Sequence, residues 1–377
     1  MAPKASYGSG FVVGTDGLLA TNFHVVSAAL HESRRYRLFL VEGDESIPAR
    51  VVAFDVVNDL ALVKVERTFP NAVGFAATEP GVGAKIFSMG WPEDLNKSVI
   101  EGNFNGVVAE GPYRKVQMSI PLNSGMSGGP TIDEDGELLG VNVSIRLDSQ
   151  SIAFAVPASV LKNLMDRPAV DLSSEDAFHD EVRRQLELVQ DQLTETVLKG
   201  PSEVVRVAGW AAERPQGLLK CWRESSSGVK ELSSATTETC YLPNAANVRS
   251  DVDTGTFRLR YESTQSTRLN PWQFLTLVNS NISSAPFFFA DFVENFTTKF
   301  QCDEIDLLNA KGVPLRVHYC LNAYVRYPGL YDVEAEAVTL VPGRSVFIVS
   351  ATYGGFTEGK ANALLMSLLD SIRMETP

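Results

Sequence analysis

Short apolar or alternating runs punctuated by Gly, Asn and Asp dominate the chain up to about residue 165, a pattern that predicts β-strands joined by tight turns. Five runs, at 10–14, 18–25, 35–41, 49–55 and 60–65, make a first group of strands, and six more, at 84–89, 99–109, 114–120, 130–133, 137–145 and 151–156, make a second. Over 173–199 the character changes. Phe178, Val182, Leu186, Val189, Leu193 and Val197 recur at helical spacing among acids, and Ser173-Ser174-Glu175-Asp176 supplies a helix start. This predicts one charged helix with a single apolar stripe, docked on the strands before it or on the region after it and short for a coiled coil. It stops at Gly200-Pro201.

Beyond that stop the pattern is mixed. Strands are expected at 203–211, 217–223, 236–241, 255–262, 296–305, 313–324, 331–341 and 345–352, with helices at 271–282 and 357–374. Asn270-Pro271 is an N-cap and first-turn pair. The last helix follows Gly354-Gly355 and carries Ala361, Leu364, Leu365, Leu368, Leu369 and Ile372 as one apolar face. The organisation expected is a β-domain at 1–168, a helical linker at 169–200 and an α+β domain at 201–377. Trp222, Trp272, the run Phe287-Phe288-Phe289 and the aromatics from Tyr324 to Tyr331 are assigned to core packing rather than to a ligand groove. His31 and His179 sit among polar residues and are expected at the surface, and the acids from Glu175 to Glu195 form a solvated helix face.

Composition narrows the classes of partner. A chain of 377 residues exceeds one typical domain, and 44% hydrophobic against 21% charged residues suffices to bury real cores. The net charge of −13 argues against nucleic acid or an anionic membrane, both of which call for a basic face. No apolar stretch approaches the ~20 residues needed to span a bilayer. Met1-Ala2-Pro3-Lys4 lacks the apolar core of a signal peptide, so the protein is either cytoplasmic or exported by a signal outside this sequence.

The four cysteines, Cys221, Cys240, Cys302 and Cys320, all fall in the second half. No C-x-x-C occurs and the only histidine beyond residue 200 is His318, so no metal site is expected. The favoured pairing is Cys221–Cys240 and Cys302–Cys320, each joining neighbouring predicted strands; the alternative is four reduced, buried thiols. Disulfides would imply an oxidising compartment, periplasmic or secreted.

Candidate chemistry centres on Asn123-Ser124-Gly125-Met126-Ser127-Gly128-Gly129-Pro130. Gly125 and Gly129 permit backbone geometry that a Cβ resists, so the amides of Gly125 and Ser127 can converge as an oxyanion hole. A serine nucleophile needs a histidine base, and the base needs a carboxylate to fix its tautomer. His24, in Thr21-Asn22-Phe23-His24-Val25-Val26, and Asp59, heading Asp59-Leu60-Ala61-Leu62-Val63-Lys64-Val65, supply them. Taken singly, each of the three has a plainer role: a turn serine, a core histidine, a strand cap. Asp55, the nearest rival carboxylate, lacks the apolar run that would screen it and is assigned to a turn.

The order His24, Asp59, Ser127 is chymotrypsin-like. With Gly8-Ser9-Gly10-Phe11-Val12-Val13 and Ile152-Ala153-Phe154-Ala155-Val156-Pro157 beside the motifs above, residues 8–165 resemble the HtrA/Deg branch of trypsin-like serine proteases. The resemblance implies an all-β double barrel (chymotrypsin-like), followed here by the helical connector and the α+β domain. It implies six strands per barrel, and since only seven residues precede Gly8, the opening strand of the first barrel is short, missing or supplied from elsewhere. It places His24 after a strand, facing the cleft between barrels, with a short helical turn starting at Val25 and Val26. It places Pro121 at the base of the substrate pocket and Ile152, Ala153 and Phe154 along its wall, pairing with the substrate backbone. No acid stands at Pro121 or its neighbours, so a small or medium aliphatic residue is expected before the scissile bond. The peptide-binding PDZ domain usual in this family is not expected, because 200–377 carries no glycine-rich carboxylate-binding loop. The function implied is a serine endopeptidase acting on protein or peptide substrates without a cofactor, in exported-protein quality control or secreted digestion. The rival is a binding or adaptor protein built on a dormant protease barrel.

Overall fold

The computed structural model describes residues 7–92, 97–110, 113–145, 152–168, 170–172, 174–226, 232–243, 245–249, 252–284 and 296–375. The chain forms two compact units, and their boundaries cross the expected linker. One comprises the residues up to Gln185 together with Ala246–Val252; the other comprises Leu186–Ala245 and the residues from Asp253 onward.

The first unit opens with β1 (Phe11–Gly14), β2 (Leu18–Thr21), α1 (Phe23–His31), β3 (Leu38–Glu42), β4 (Glu45–Asp55) and β5 (Leu60–Val65). These strands make one antiparallel sheet in the order β1-β2-β5-β4-β3, with no sixth strand among the described residues. Leu60 to Val63 are buried in succession, which is why β5 reads as an unbroken apolar run rather than an alternating one. Next come β6 (Lys85–Gly90), β7 (Ser98–Glu110), β8 (Tyr113–Ser119), β9 (Pro130–Ile132), β10 (Leu138–Ile145) and β11 (Ala153–Pro157), closed into a barrel in the order β10-β11-β8-β7-β6-β9. The expected strands are thus present, with one shift that matters. The strand expected over 18–25 ends at Thr21, and His24 lies in the first turn of α1.

Two apolar cores result. Ile86, Phe104, Val116, Met118 and Leu139 fill the closed barrel, while Val13, Ala20, Leu60 and Leu62 of the first sheet pack with Leu138, Val141 and Val156. A helix the sequence pattern did not announce, α2 (Ala158–Met165), adds Leu161 and Leu164 to the second of these. Then α3 (Glu175–Lys199) begins. Phe178 packs against Phe23 and Phe54, with centroids 6.4 and 5.4 Å apart. Gln185 is buried and behaves like a peptide group, accepting from Val56 N at 2.9 Å and donating to Phe54 O at 3.0 Å.

His31 is not at the surface. It is buried at the end of α1, edge-on to Phe178, and its Nε2 donates to the Val248 carbonyl at 2.7 Å. The segment Ala246–Val252 therefore completes the first unit from far along the chain.

The second unit takes the rest of α3, where Gln190 brackets the backbone again, donating to Gly355 O and accepting from Thr357 N. A hairpin follows, β12 (Ser202–Val207) and β13 (Trp210–Pro215), where one strand was expected. Ala208 and Gly209 form its two-residue turn at φ 48° and 84°, the doubly left-handed geometry that matches hairpin twist. The chain continues through β14 (Lys220–Ser226), β15 (Ser234–Tyr241), β16 (Ala246–Arg249), β17 (Val252–Thr254), β18 (Phe257–Gln265), α4 (Pro271–Ser284), β19 (Gln301–Leu308), β20 (Pro314–Ala323), β21 (Leu330–Thr339), β22 (Ser345–Thr357), α5 (Glu358–Ser371) and β23 (Arg373–Met374). Seven strands form an antiparallel sheet in the order β14-β15-β18-β22-β21-β20-β19.

Disulfides join Cys221 to Cys240 and Cys302 to Cys320, each directly opposite in register, in the outermost strand pair at either edge of that sheet. Gly354-Gly355 precedes α5, as expected, from within the last residues of a longer β22, and α5 ends at Ser371. Tyr324 is core, whereas Trp222 and Trp272 are exposed, Trp272 by 81%, so the core assignment fails for both tryptophans. Phe287-Phe288-Phe289 lies outside the described residues. Among the described residues no helix is long and apolar enough to cross a membrane.

Candidate active site

Asp59 is placed by a turn between β4 and β5. The buried Asp55 carboxylate closes that turn, accepting from Val57 N, Asn58 N and Asn58 Nδ2 at 2.9–3.1 Å, and pairs with Arg167 at 2.9 Å. Asp55 is thus the turn acid it was expected to be. Asp59 itself sits at φ 55°, a region that non-glycine residues enter with difficulty. The fully buried Asn22 holds it there, donating from Nδ2 to the Asp59 carbonyl at 2.8 Å.

The Asp59 carboxylate then grips the start of α1 twice. Oδ1 accepts from the His24 backbone N–H at 2.9 Å, and Oδ2 accepts from the imidazole Nδ1 at 2.6 Å. The first contact satisfies an amide that the first helical turn leaves without an intrahelical partner. The second fixes the ring: with Nδ1 as donor, Nε2 carries the lone pair. Burial of the imidazole works against its protonated form, but the hydrogen bond and charge of Asp59 more than offset this, and His24 titrates above the ordinary histidine value. The side chain keeps 26% of its surface open to solvent.

Ser127 sits in a loop threaded between barrel and sheet. Met126 is fully buried in the barrel core and anchors the loop. Its amide donates to Asn123 O at 3.1 Å, Gly129 N donates to Met126 O at 3.1 Å, and Gly128 N donates to Asn142 O at 2.9 Å. The amides of Gly125 and Ser127, by contrast, donate to no other described group. Gly128, at φ 84°, lies against the residues just ahead of α1. A Cβ there would lie 2.3 Å from Thr21 Oγ1 and 3.0 Å from Asn22 N, so the serine loop rests on the dipeptide just ahead of Phe23-His24. Behind the loop, Ser88, Thr131 and Asn142 form a buried hydroxyl–amide network, with Thr131 Oγ1 donating to Asn142 Oδ1 at 2.6 Å.

Pro121 is exposed, while its neighbours Ile120 and Leu122 are buried in the same cluster as Ala153. Ala153 to Ala155 pair with β8 on one side and β10 on the other, so the strand has no free edge there for a substrate backbone. Only Ile152, just ahead of β11, keeps that role open. Phe154 is half-buried with the Lys115 ammonium over its ring at 5.8 Å.

Four contributors escaped the sequence reading: Ser9, Thr21, Asn22 and Asn142. All are buried polar residues, and their partners lie far off in sequence. The one local hint is that Ser9 stands between two glycines and Thr21-Asn22 directly precedes Phe23-His24.

Residues 8–141 match the trypsin-like peptidase domain family. Among curated proteins, the chain is similar to a probable periplasmic serine endoprotease, DegP-like, of Rhizobium meliloti, with 37% identity over 44% of this chain and 34% of the relative. It is also similar to the protein of that name from Brucella suis, with 34% identity over 42% of this chain and 32% of the relative. The chain thus spans about a third of the length of these relatives. Among solved structures, the active form of the Rv3671c protease from M. tuberculosis aligns with 26% identity and a TM-score of 0.40, over 44% of this chain and 74% of that one. The N-terminal part of the chain thus matches the trypsin-like peptidase domain and is similar to serine endoproteases of the DegP type.

Proposed function

We propose that the protein is a serine endopeptidase in which Ser127, His24 and Asp59 form the catalytic triad. The observation that carries this reading is the 2.6 Å bond from His24 Nδ1 to Asp59, made where the Ser127 loop rests on Thr21-Asn22. In the reaction, His24 Nε2 takes the Ser127 hydroxyl proton as the oxygen attacks the scissile carbonyl. It then gives that proton to the leaving amine, and a water repeats the sequence to release the acyl group. The amides of Gly125 and Ser127 receive the oxyanion. Asp59 stays ionised and holds the ring.

No carboxylate stands at Pro121 or at its neighbours Ile120 and Leu122 to pair with Lys or Arg, which favours Val, Ala, Ile or Leu before the scissile bond. Two disulfides and the similarity to probable periplasmic endoproteases support an oxidising, periplasmic or secreted setting. The second unit is assigned a non-catalytic role in recruiting substrate or restricting access.

Labelling with a fluorophosphonate tests the reading, because only an assembled triad makes a serine react fast. Rapid modification confined to Ser127, lost in His24→Ala, is expected. A folded protein whose Ser127 stays unmodified would instead be the dormant adaptor.

A further inference from the structure

We propose that Ser9 is a positioning residue that sets the oxyanion site by holding the two residues, Gly125 and Ser127, whose amides face the substrate. This rests on the catalytic reading of Ser127 above. Ser9 is 3% exposed and every polar group it owns is engaged. Its N–H donates to the Ser127 carbonyl at 2.9 Å, and its carbonyl accepts from Thr21 Oγ1 at 2.7 Å. Its hydroxyl accepts from Trp91 N at 2.9 Å, which directs the hydroxyl proton to the Gly125 carbonyl at 2.7 Å. One residue thus fixes the carbonyls of both oxyanion donors while occupying neither amide.

The need for such a restraint follows from Gly125. At φ 90°, without a Cβ, its backbone has no intrinsic preference strong enough to keep its amide aimed at one point. The Gly125 amide lies in the Ser124–Gly125 peptide, and the Ser9 hydroxyl braces it from across the Cα by holding the Gly125–Met126 peptide in place. The site also leaves room for the hydroxyl: a Cβ on Gly90 would lie 2.9 Å from Ser9 Oγ. Thr21, which holds Ser9, is followed by Asn22, which holds Asp59, so the dipeptide ties the oxyanion side to the acid side of the triad.

A purely structural serine and a positioning serine predict different kinetics. In Ser9→Ala, kcat is expected to fall about 10²–10³-fold, as when an oxyanion donor is lost. KM should stay within about threefold, and the pH midpoint of kcat/KM should not move, because the His24–Asp59 pair is untouched. Fluorophosphonate should still modify every molecule, but slowly. Ser9→Cys, which keeps a weaker donor at the same atom, should recover part of the rate. A lower number of reactive sites with wild-type kcat per site would reduce Ser9 to a stability residue and overturn the proposal.

Amide hydrogen exchange gives an arm independent of chemistry. Met126 and Gly129 should exchange at least about tenfold faster in Ser9→Ala while the barrel strands do not change. Unchanged exchange there also overturns it. If the wild-type protein itself is not modified at Ser127, the catalytic reading fails instead, and the two failures are told apart.

Discussion

The closed barrel of the first unit and the seven-stranded sheet of the second protect their backbones by opposite means. In the first, the barrel of β6 to β11 closes on itself and leaves no edge, and buried polar side chains are free to serve position: Ser9, Thr21, Asn22 and Asn142 hold the loop and the turn that carry Ser127 and Asp59. In the second, the seven-stranded sheet stays open, and a disulfide ties each edge strand to its inner neighbour. Open edges invite pairing with other chains, and pinning them is one remedy. The contrast teaches that hydrogen bonds are used where atoms must be aimed and covalent links where a strand must only be kept in place.

The largest effects expected from this contrast are catalytic and confined to the first unit. Ser127→Ala and His24→Ala should abolish peptide hydrolysis, and Asp59→Asn should lower turnover on the order of 10⁴-fold by admitting the wrong tautomer. None should shift the melting of the disulfide-bonded unit. Casein digestion by Ser127→Ala at the wild-type rate would break the assignment.

Reduction should do the reverse. Loops of 19 and 18 residues predict that each disulfide contributes ~3 kcal/mol, so dithiothreitol should lower the urea midpoint of the second unit and leave the first unchanged. Equal losses in both units would erase the distinction.

A third effect tests how the first unit is completed. His31→Phe keeps an aromatic ring beside Phe178 but leaves the buried Val248 carbonyl without its donor, at a cost of about 1–3 kcal/mol in urea unfolding. A neutral result would mean that the segment 246–252 is held by its apolar contacts alone.

A fourth set of effects is read from pH. His24 must be neutral to act as base and Asp59 raises its pKa, so kcat/KM should fall as pH drops through a midpoint above 6.5. In the second unit, burial lifts Glu334 from 4.5 to about 8. Folded, it is protonated where the unfolded chain would ionise. Its favourable contribution is therefore complete below pH 4.5 and lost as pH rises through about 8. Glu334→Gln should flatten that limb in a series of urea titrations.

What the sequence disclosed follows the same division. Strands of the first unit were legible because their apolar runs are local, and His24, Asp59 and Ser127 stood out because each heads or centres a recognisable run. Ser9 did not, since its bond to Gly125 spans 116 positions. His31 was misplaced at the surface for the same reason, its partner Val248 being 217 positions away. The hairpin at Ala208-Gly209 was missed because alanine is an unusual occupant of a left-handed turn position. Ala153 and Phe154 are paired on both sides because spacing along a chain does not say which edge of a strand another strand already occupies. In the second unit the alternation gave most strands, while their order in the sheet had no local signal.

The segment Ala246–Val252 has a consequence for the timing of synthesis. The chain leaves the ribosome N-terminus first, and domains ordinarily mature in that order. Here the helix that begins at Phe23-His24 waits at its far end for the Val248 carbonyl. Strands β12 to β15 of the second unit are made before that carbonyl exists. The half of the molecule translated first is therefore finished only after part of the other half has already been made.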